Sequence, residues 1–216
     1  MILTTIWSNP FDNAIEIAFS KFFDILPSKI KEGIVIFSAL GNLGIFLLIA
    51  GILLLLFKQT RKIGFICLLS VFFTLIFNDL LFKNIFDRAR PFQDPNLVNQ
   101  LQSIVNNNGE VYGLKPDSPS FPSGHTFQSF AAFGAILFYY FKDKENKKLY
   151  IPSLLFFGIY AFLMGISRVL LSHHYFTDVL AGTILGGLSG ILIYYVLKYT
   201  PVLYSKIMGK IKKNEN

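Results

Sequence analysis

The chain has one cysteine in 216 residues, so no intrachain disulfide can brace it. Cys67 lies inside an apolar run, which also argues against an exposed redox or zinc role. Charge is scarce: Asp, Glu, Lys and Arg make up 15% of the residues, while 53% are hydrophobic. A soluble domain of this length carries more charge and less Phe and Leu. The start, MILTTIWSNP, has no basic region and only a short apolar stretch, so no cleaved secretory signal is expected. Histidine is scarce as well, with three copies, and two of them are the neighbours His173 and His174.

The apolar residues are clustered. Ile34 to Phe57 contains no charged residue and is long enough to cross a bilayer as a helix. Ile63–Phe82, Thr126–Phe141, Leu149–Ser167 and Val179–Leu197 are further candidates. The expected fold is all-α: a polytopic membrane bundle of five transmembrane helices plus an N-terminal amphipathic helix or sixth span. In residues 11–26 the apolar positions Ile15, Ala18, Phe19, Phe22, Phe23 and Leu26 form one helical stripe. Asp12, Glu16, Lys21 and Asp24 lie among them, which fits an interfacial helix better than a full crossing. The expected organisation is residues 1–33 as this N-terminal segment, 34–200 as the membrane domain and 201–216 as a basic tail. A turn-rich loop at 92–120 interrupts the membrane domain.

Acidic residues are outnumbered, 13 against 20 basic ones, giving a net charge of +7. The excess does not indicate a nucleic-acid partner, because it falls in short segments between spans. Lys58, Arg61 and Lys62 follow the first run, Lys142, Lys144, Lys147 and Lys148 the third, and Lys206, Lys210, Lys212 and Lys213 the last. These groups alternate onto one side, which the positive-inside rule makes cytoplasmic, with the carboxyl terminus there. Anionic headgroups of the bilayer are sufficient partners for them. The other side receives Lys83, Arg88, Arg90, Lys115, Arg168, Asp178 and all three histidines. Gly182, Gly186 and Gly190 fall near one face of the last span and read as close packing within the bundle.

Three segments on that second side carry chemistry. In 83-KNIFDRARP-91, Lys83 and Arg90 are seven apart, about 700° on a continuous helix, so both project from one face. Arg88 projects elsewhere, and Pro91 ends the helix. In 119-PSFPSGHTF-127, Ser123 is placed as the N-cap of a helix whose first turn holds His125. Free N–H groups at such a start, with Gly124 admitting close approach, bind phosphate-like anions. In 167-SRVLLSHHYFTD-178, His174 and Asp178 are four apart, a spacing that lets a carboxylate hold one imidazole nitrogen and leave the other free. Ordinary snorkelling cations, a helix cap and a capping aspartate would explain each segment alone. Together they form an inventory for phosphoryl transfer without a metal. Zinc is the rival use of His125, His173, His174 and Asp178, and the nearby cations oppose it by repulsion.

Lys83-x6-Arg90-Pro91, Pro122-Ser123-Gly124-His125 and Ser167-Arg168-x5-His174-x3-Asp178, in that order, resemble the three-part signature of the type 2 phosphatidic acid phosphatase superfamily. The likeness is to its bacterial membrane branch and covers about residues 34–200. The resemblance implies His174 as a nucleophile that forms a phosphohistidine, Asp178 as its orienting partner, and His125 as general acid and then base. It implies Lys83, Arg90, Ser123, Gly124 and Arg168 as phosphate binders, with no metal and no cofactor. The implied substrates are membrane lipid phosphates or diphosphates outside the cytoplasm. Undecaprenyl diphosphate is placed first, phosphatidylglycerophosphate second, and phosphatidic acid or lipid A after them. Transfer of the phosphoryl group to another lipid, or binding without catalysis, would use the same residues. The family usually has six membrane helices, so the 11–26 segment is a departure from its pattern.

Overall fold

The computed structural model describes residues 9–101, 116–143 and 147–214, with side chains as far as Pro201 and at Tyr204 and Ser205. Lys115, Lys144, the 102–115 part of the loop and the lysine side chains of the tail lie outside the described residues. The described chain is helical, with no strand. Its elements are α1 (Pro10–Ile25), α2 (Ser28–Ala39), α3 (Ile45–Leu55), α4 (Arg61–Phe73), α5 (Lys83–Phe86), α6 (Gly124–Lys142), α7 (Lys147–Leu170) and α8 (Phe176–Asn214). A π-helical stretch, Thr74–Phe82, joins α4 to α5 without a break.

The expected five spans are not all found. Among the described residues three helical segments are long and apolar enough to cross a membrane, Arg61–Phe86, Lys147–Leu170 and Phe176–Pro201, or four if the bent pair Ser28–Ala39 and Asn42–Leu55 forms one span. The run expected as the first span is apolar enough across its two helical pieces, Ser28–Ala39 and Asn42–Leu55, which meet at 60°. At the break Leu43 and Gly44 take positive φ values of 50° and 70°. The freed backbone and side chains are used there, since the Gly41 carbonyl accepts from Gln128 Nε2 at 2.6 Å and Asn42 reaches His125. Non-helical backbone at membrane depth is tolerated where it is buried in protein or lines a cavity. Helix α6 spans 19 residues, but its first turns carry His125, Thr126, Gln128 and Ser129, which is why it falls short in apolarity.

Helix α1 carries acidic residues on its buried side. Asp12, Glu16, Ser20 and Phe23 are its buried face, while Phe11, Phe22 and Ile25 are exposed. Polar residues in and apolar residues out is the arrangement lipid favours when charged groups have partners inside. The outer faces of α3, α4, α7 and α8 likewise expose Ile52, Phe72, Phe162 and Leu188. A belt of this extent is what a bilayer covers.

Helix α8 lies along α6, and its glycines allow the contact. A Cβ at Gly182 would stand 2.7 Å from the Ser123 carbonyl, and one at Gly190 2.6 Å from the Ala131 carbonyl. Gly186 sits directly on the Phe127 carbonyl. Gly186→Leu is therefore expected to push the helices apart, lowering the melting temperature of detergent-solubilised protein and its activity together; an unchanged melting curve would contradict this packing. The two ends of the bundle differ in character. At one, Lys62 pairs with Asp143 at 3.3 Å, beside stacked Tyr139 and Tyr150. At the other, the starts of α6 and α8 meet the ends of α5 and α7.

Candidate active site

The opening between α7 and α8 is built by local rules. Helix α7 stops after Leu170 because Ser172 adopts φ 47°. The Ser172 N–H then bonds the Val169 carbonyl at 2.9 Å and the His173 N–H the Arg168 carbonyl at 3.1 Å. This is a Schellman ending, here with serine at the left-handed position that glycine usually takes. The His174 N–H shares the Arg168 carbonyl at 3.2 Å. Helix α8 then begins at Phe176, and the Asp178 carboxylate accepts the Tyr175 N–H at 2.9 Å, half of a capping box.

These constraints fix the His174 ring. Its Nδ1 donates to the Ser120 carbonyl at 2.7 Å. The nearer Asp178 oxygen is 3.7 Å from Nδ1 and accepts instead from Ser120 Oγ at 2.5 Å. The expected direct carboxylate bond is thus replaced by the carbonyl and hydroxyl of one serine between them. With Nδ1 protonated, Nε2 carries the lone pair, and Arg90 Nη1 donates to it at 3.1 Å. Burial, followed by the charges of Arg90, Arg168 and Lys83, holds the His174 pKa well below the usual imidazole range. His173 faces elsewhere, packing edge-on against Phe92, while its carbonyl accepts from Arg90 Nη1 at 2.6 Å.

A cavity of about 740 Å³ opens at this end. Lys83, Arg90, Gly124, His125, Arg168 and His174 all line it, although they come from three separate helices and two loops. Lys83 and Arg90 share the cavity without sharing a helix. The helix ends at Phe86, Asp87 takes φ 40°, and Arg90 is extended. Lys83 pairs with Asp79 at 2.9 Å, not with Asp87. Burial lowers the Arg90 pKa to about 10, with Asp178, Asp117 and Asp79 opposing the shift. Arg168 is buried, and Nη1 donates to Ser38 Oγ at 2.6 Å. His125 Nε2 lies 2.9 Å from Asn42 Oδ1. Ser123 is the N-cap residue of α6 as expected, but its hydroxyl pairs with Thr126 Oγ1 at 3.0 Å behind the cavity wall. A Cβ at Gly124 would stand 3.0 Å from Asn78 Nδ2 and 3.8 Å from Lys83 Nζ, so the glycine keeps that wall open. Among the described residues, no three His, Cys, Asp or Glu side chains gather as metal ligands.

Sequence reasoning missed Ser120, Asn42, Asp79, Arg88 and Asp12. Arg88, expected to project away, is buried and donates to Asp178 Oδ1 at 2.5 Å and to Asp12 Oδ2 at 2.7 Å. The available signals were its place two residues before Arg90 and, for Asp79, the i,i+4 spacing to Lys83; Ser120, Asn42 and Asp12 stand in no recognisable spacing.

A membrane-type helical bundle whose one end gathers two buried arginines, a half-buried lysine and two histidines around a cavity is built to hold an oxyanion beside a reactive imidazole. The chain belongs to the PAP2 superfamily, whose family model matches residues 59–201. It is 37% identical over 84 residues to phosphatidylglycerophosphatase B of Bacillus subtilis, covering 37% of each chain. It is 31% identical over 130 residues to a PA-phosphatase related-family protein of Dictyostelium discoideum, covering 57% of this chain and 44% of that one. The aligned stretches thus span less than half of either curated relative. Among solved structures, the transmembrane PAP2-type phosphatidylglycerolphosphate phosphatase of Bacillus subtilis superposes with a TM-score of 0.62 at 25% identity, covering 89% of both chains. Aquifex aeolicus LpxE shares the fold at TM-score 0.60 and 22% identity, over 92% of this chain and 100% of its own.

Proposed function

We propose that the chain is an integral-membrane, metal-independent lipid phosphatase acting through a phosphohistidine. The observation that carries this reading is the His174 ring, fixed at Nδ1 by Ser120 with Nε2 turned into a cavity of cations. Nε2 attacks phosphorus while the bond to the lipid oxygen breaks, and His125, protonated for this step, gives that oxygen its proton. His125 then takes a proton from water, whose oxygen displaces His174 and releases inorganic phosphate. Lys83, Arg90, Arg168 and the N–H groups at the start of α6 face the charge that spreads over the phosphoryl oxygens.

For the substrate, the names of the two Bacillus relatives favour phosphatidylglycerophosphate over undecaprenyl diphosphate, reversing the order read from the sequence. For sidedness, the lysine-rich end, with Lys62 and Lys142, is the cytoplasmic one, so the cavity faces outward. A phosphate-release panel over detergent-solubilised lipid phosphates, in EDTA and without an added acceptor, tests the proposal. Release from phosphatidylglycerophosphate above the others, blocked by vanadate, is expected. Dependence on added zinc or magnesium would overturn metal independence, and phosphate loss only with an acceptor lipid present would make the chain a transferase.

A further inference from the structure

We infer that Asp12 and Arg88 are positioning residues for the reaction, through which α1 sets the charge and orientation of Asp178. This inference rests on the proposed role of His174. Asp12 lies outside the stretch matched by the family model. Its side chain and that of Asp178 are fully buried, and Arg88 between them is 2% exposed. Arg88 spans the two carboxylates with separate nitrogens, while its guanidinium lies over the Tyr175 ring, 4.0 Å from its centroid. Asp12 also holds the first turn of α8 from outside. Its Oδ1 accepts the Thr177 N–H at 3.0 Å, and its Oδ2 accepts the Thr177 hydroxyl at 2.6 Å. A free N–H at a helix start is thereby capped by a carboxylate from another helix. Asn9 orients that carboxylate in turn, donating from Nδ2 at 2.9 Å.

The charge balance gives this arrangement its consequence. Among Asp12, Arg88 and Asp178, one guanidinium between two carboxylates leaves a net negative charge, close to His174, whose ring becomes cationic as Nε2 bonds to phosphorus. If Asp12 becomes neutral, Arg88 cancels Asp178 and that support is lost. The Asp178 oxygen that receives Ser120 Oγ also shifts, and with it the serine whose carbonyl holds Nδ1. The effect falls on the chemical step, because none of these atoms lines the cavity.

Asp12→Asn tests this with steady-state kinetics on the monodisperse, helical fraction. The expected result is a kcat lower by about tenfold to 100-fold, the scale on which small displacements of a reacting group act, with KM unchanged. Asp12→Glu, which restores the charge, is expected to recover most of the loss. In an Asp178→Asn background Asp12→Asn is expected to add no further loss. An equal loss in both backgrounds, or a loss confined to KM, would mean that α1 only braces the fold and would overturn the inference. Should Asp12→Asn not purify folded, Arg88→Lys, which can span only one of the carboxylates, is put through the same cycle with the same outcomes. His174→Ala separates the two levels. If it turns over like the parent, the functional reading falls; if it is inactive while Asp12→Asn matches the parent, only the positioning role falls.

Discussion

His174→Ala is expected to remove turnover, by about 10⁴-fold or more, while His173→Ala retains most of it. The two neighbours are both buried and share the Arg168 carbonyl, but their rings are held differently. His174 is held at Nδ1 by the Ser120 carbonyl and directs Nε2 into the cavity. His173 packs its ring on Phe92 and serves the site through its carbonyl, which alanine keeps. Steady-state phosphate release measures both, and trapping of labelled phosphate on the parent but not on His174→Ala would identify the intermediate. A pH profile adds a second check. Because burial and the neighbouring cations depress the His174 pKa, the unfilled enzyme keeps its lone pair at pH values where ordinary imidazoles are protonated. The acid limb of kcat/KM is therefore expected below the usual imidazole range. A reversed mutant pattern, with His173→Ala inactive, would reassign the nucleophile.

The residues that touch the cavity were legible because each carries its own chemical signature at a fixed spacing. Lys83, Arg90, Gly124, His125, Arg168 and His174 could be named before any fold was known, and the fold places all six around one cavity. The supporting groups were not legible, for a physical reason. Ser120 acts mainly through its carbonyl, Asn42 through a break in a helix that hydropathy reads as continuous, and Asp12 across 165 residues to Thr177. None of these leaves a local period. The orientation of α1 shows the same limit. Its amphipathic stripe was visible, but not its division in the fold, where Phe23 is buried with Asp12, Glu16 and Ser20 while Phe11, Phe22 and Ile25 are exposed. The span count suffered because α6 gives its first turns to the site, and because α2 and α3 bend to bring Gly41 and Asn42 into it.

Arg90→Lys is expected to be almost as damaging as Arg90→Ala, with kcat/KM lower by about 10²- to 10³-fold, the usual effect of removing a donor to a developing oxyanion. Lysine keeps the charge, so a site that needed only charge would tolerate it. Arg90 is used as a fork. Nε donates to the Ser118 carbonyl at 2.8 Å, and Nη1 reaches both the His173 carbonyl at 2.6 Å and His174 Nε2 at 3.1 Å. Nη2 donates to Ser118 Oγ at 3.2 Å and to the Pro119 carbonyl at 3.3 Å, so the guanidinium is pinned to two loops while Nη1 stands beside Nε2, where a phosphoryl oxygen would arrive. A flexible ammonium has neither the planar geometry nor enough donors to hold both loops and the substrate. Lys83 is the contrast, a point charge that Asp79 pairs at 2.9 Å. Parallel kinetics of Arg90→Lys, Arg90→Ala and Lys83→Arg on one lipid phosphate decide the matter. If Arg90→Lys keeps more than half of the parent activity, Arg90 acts through charge alone, and the loops at 118 and 173 are held by something else.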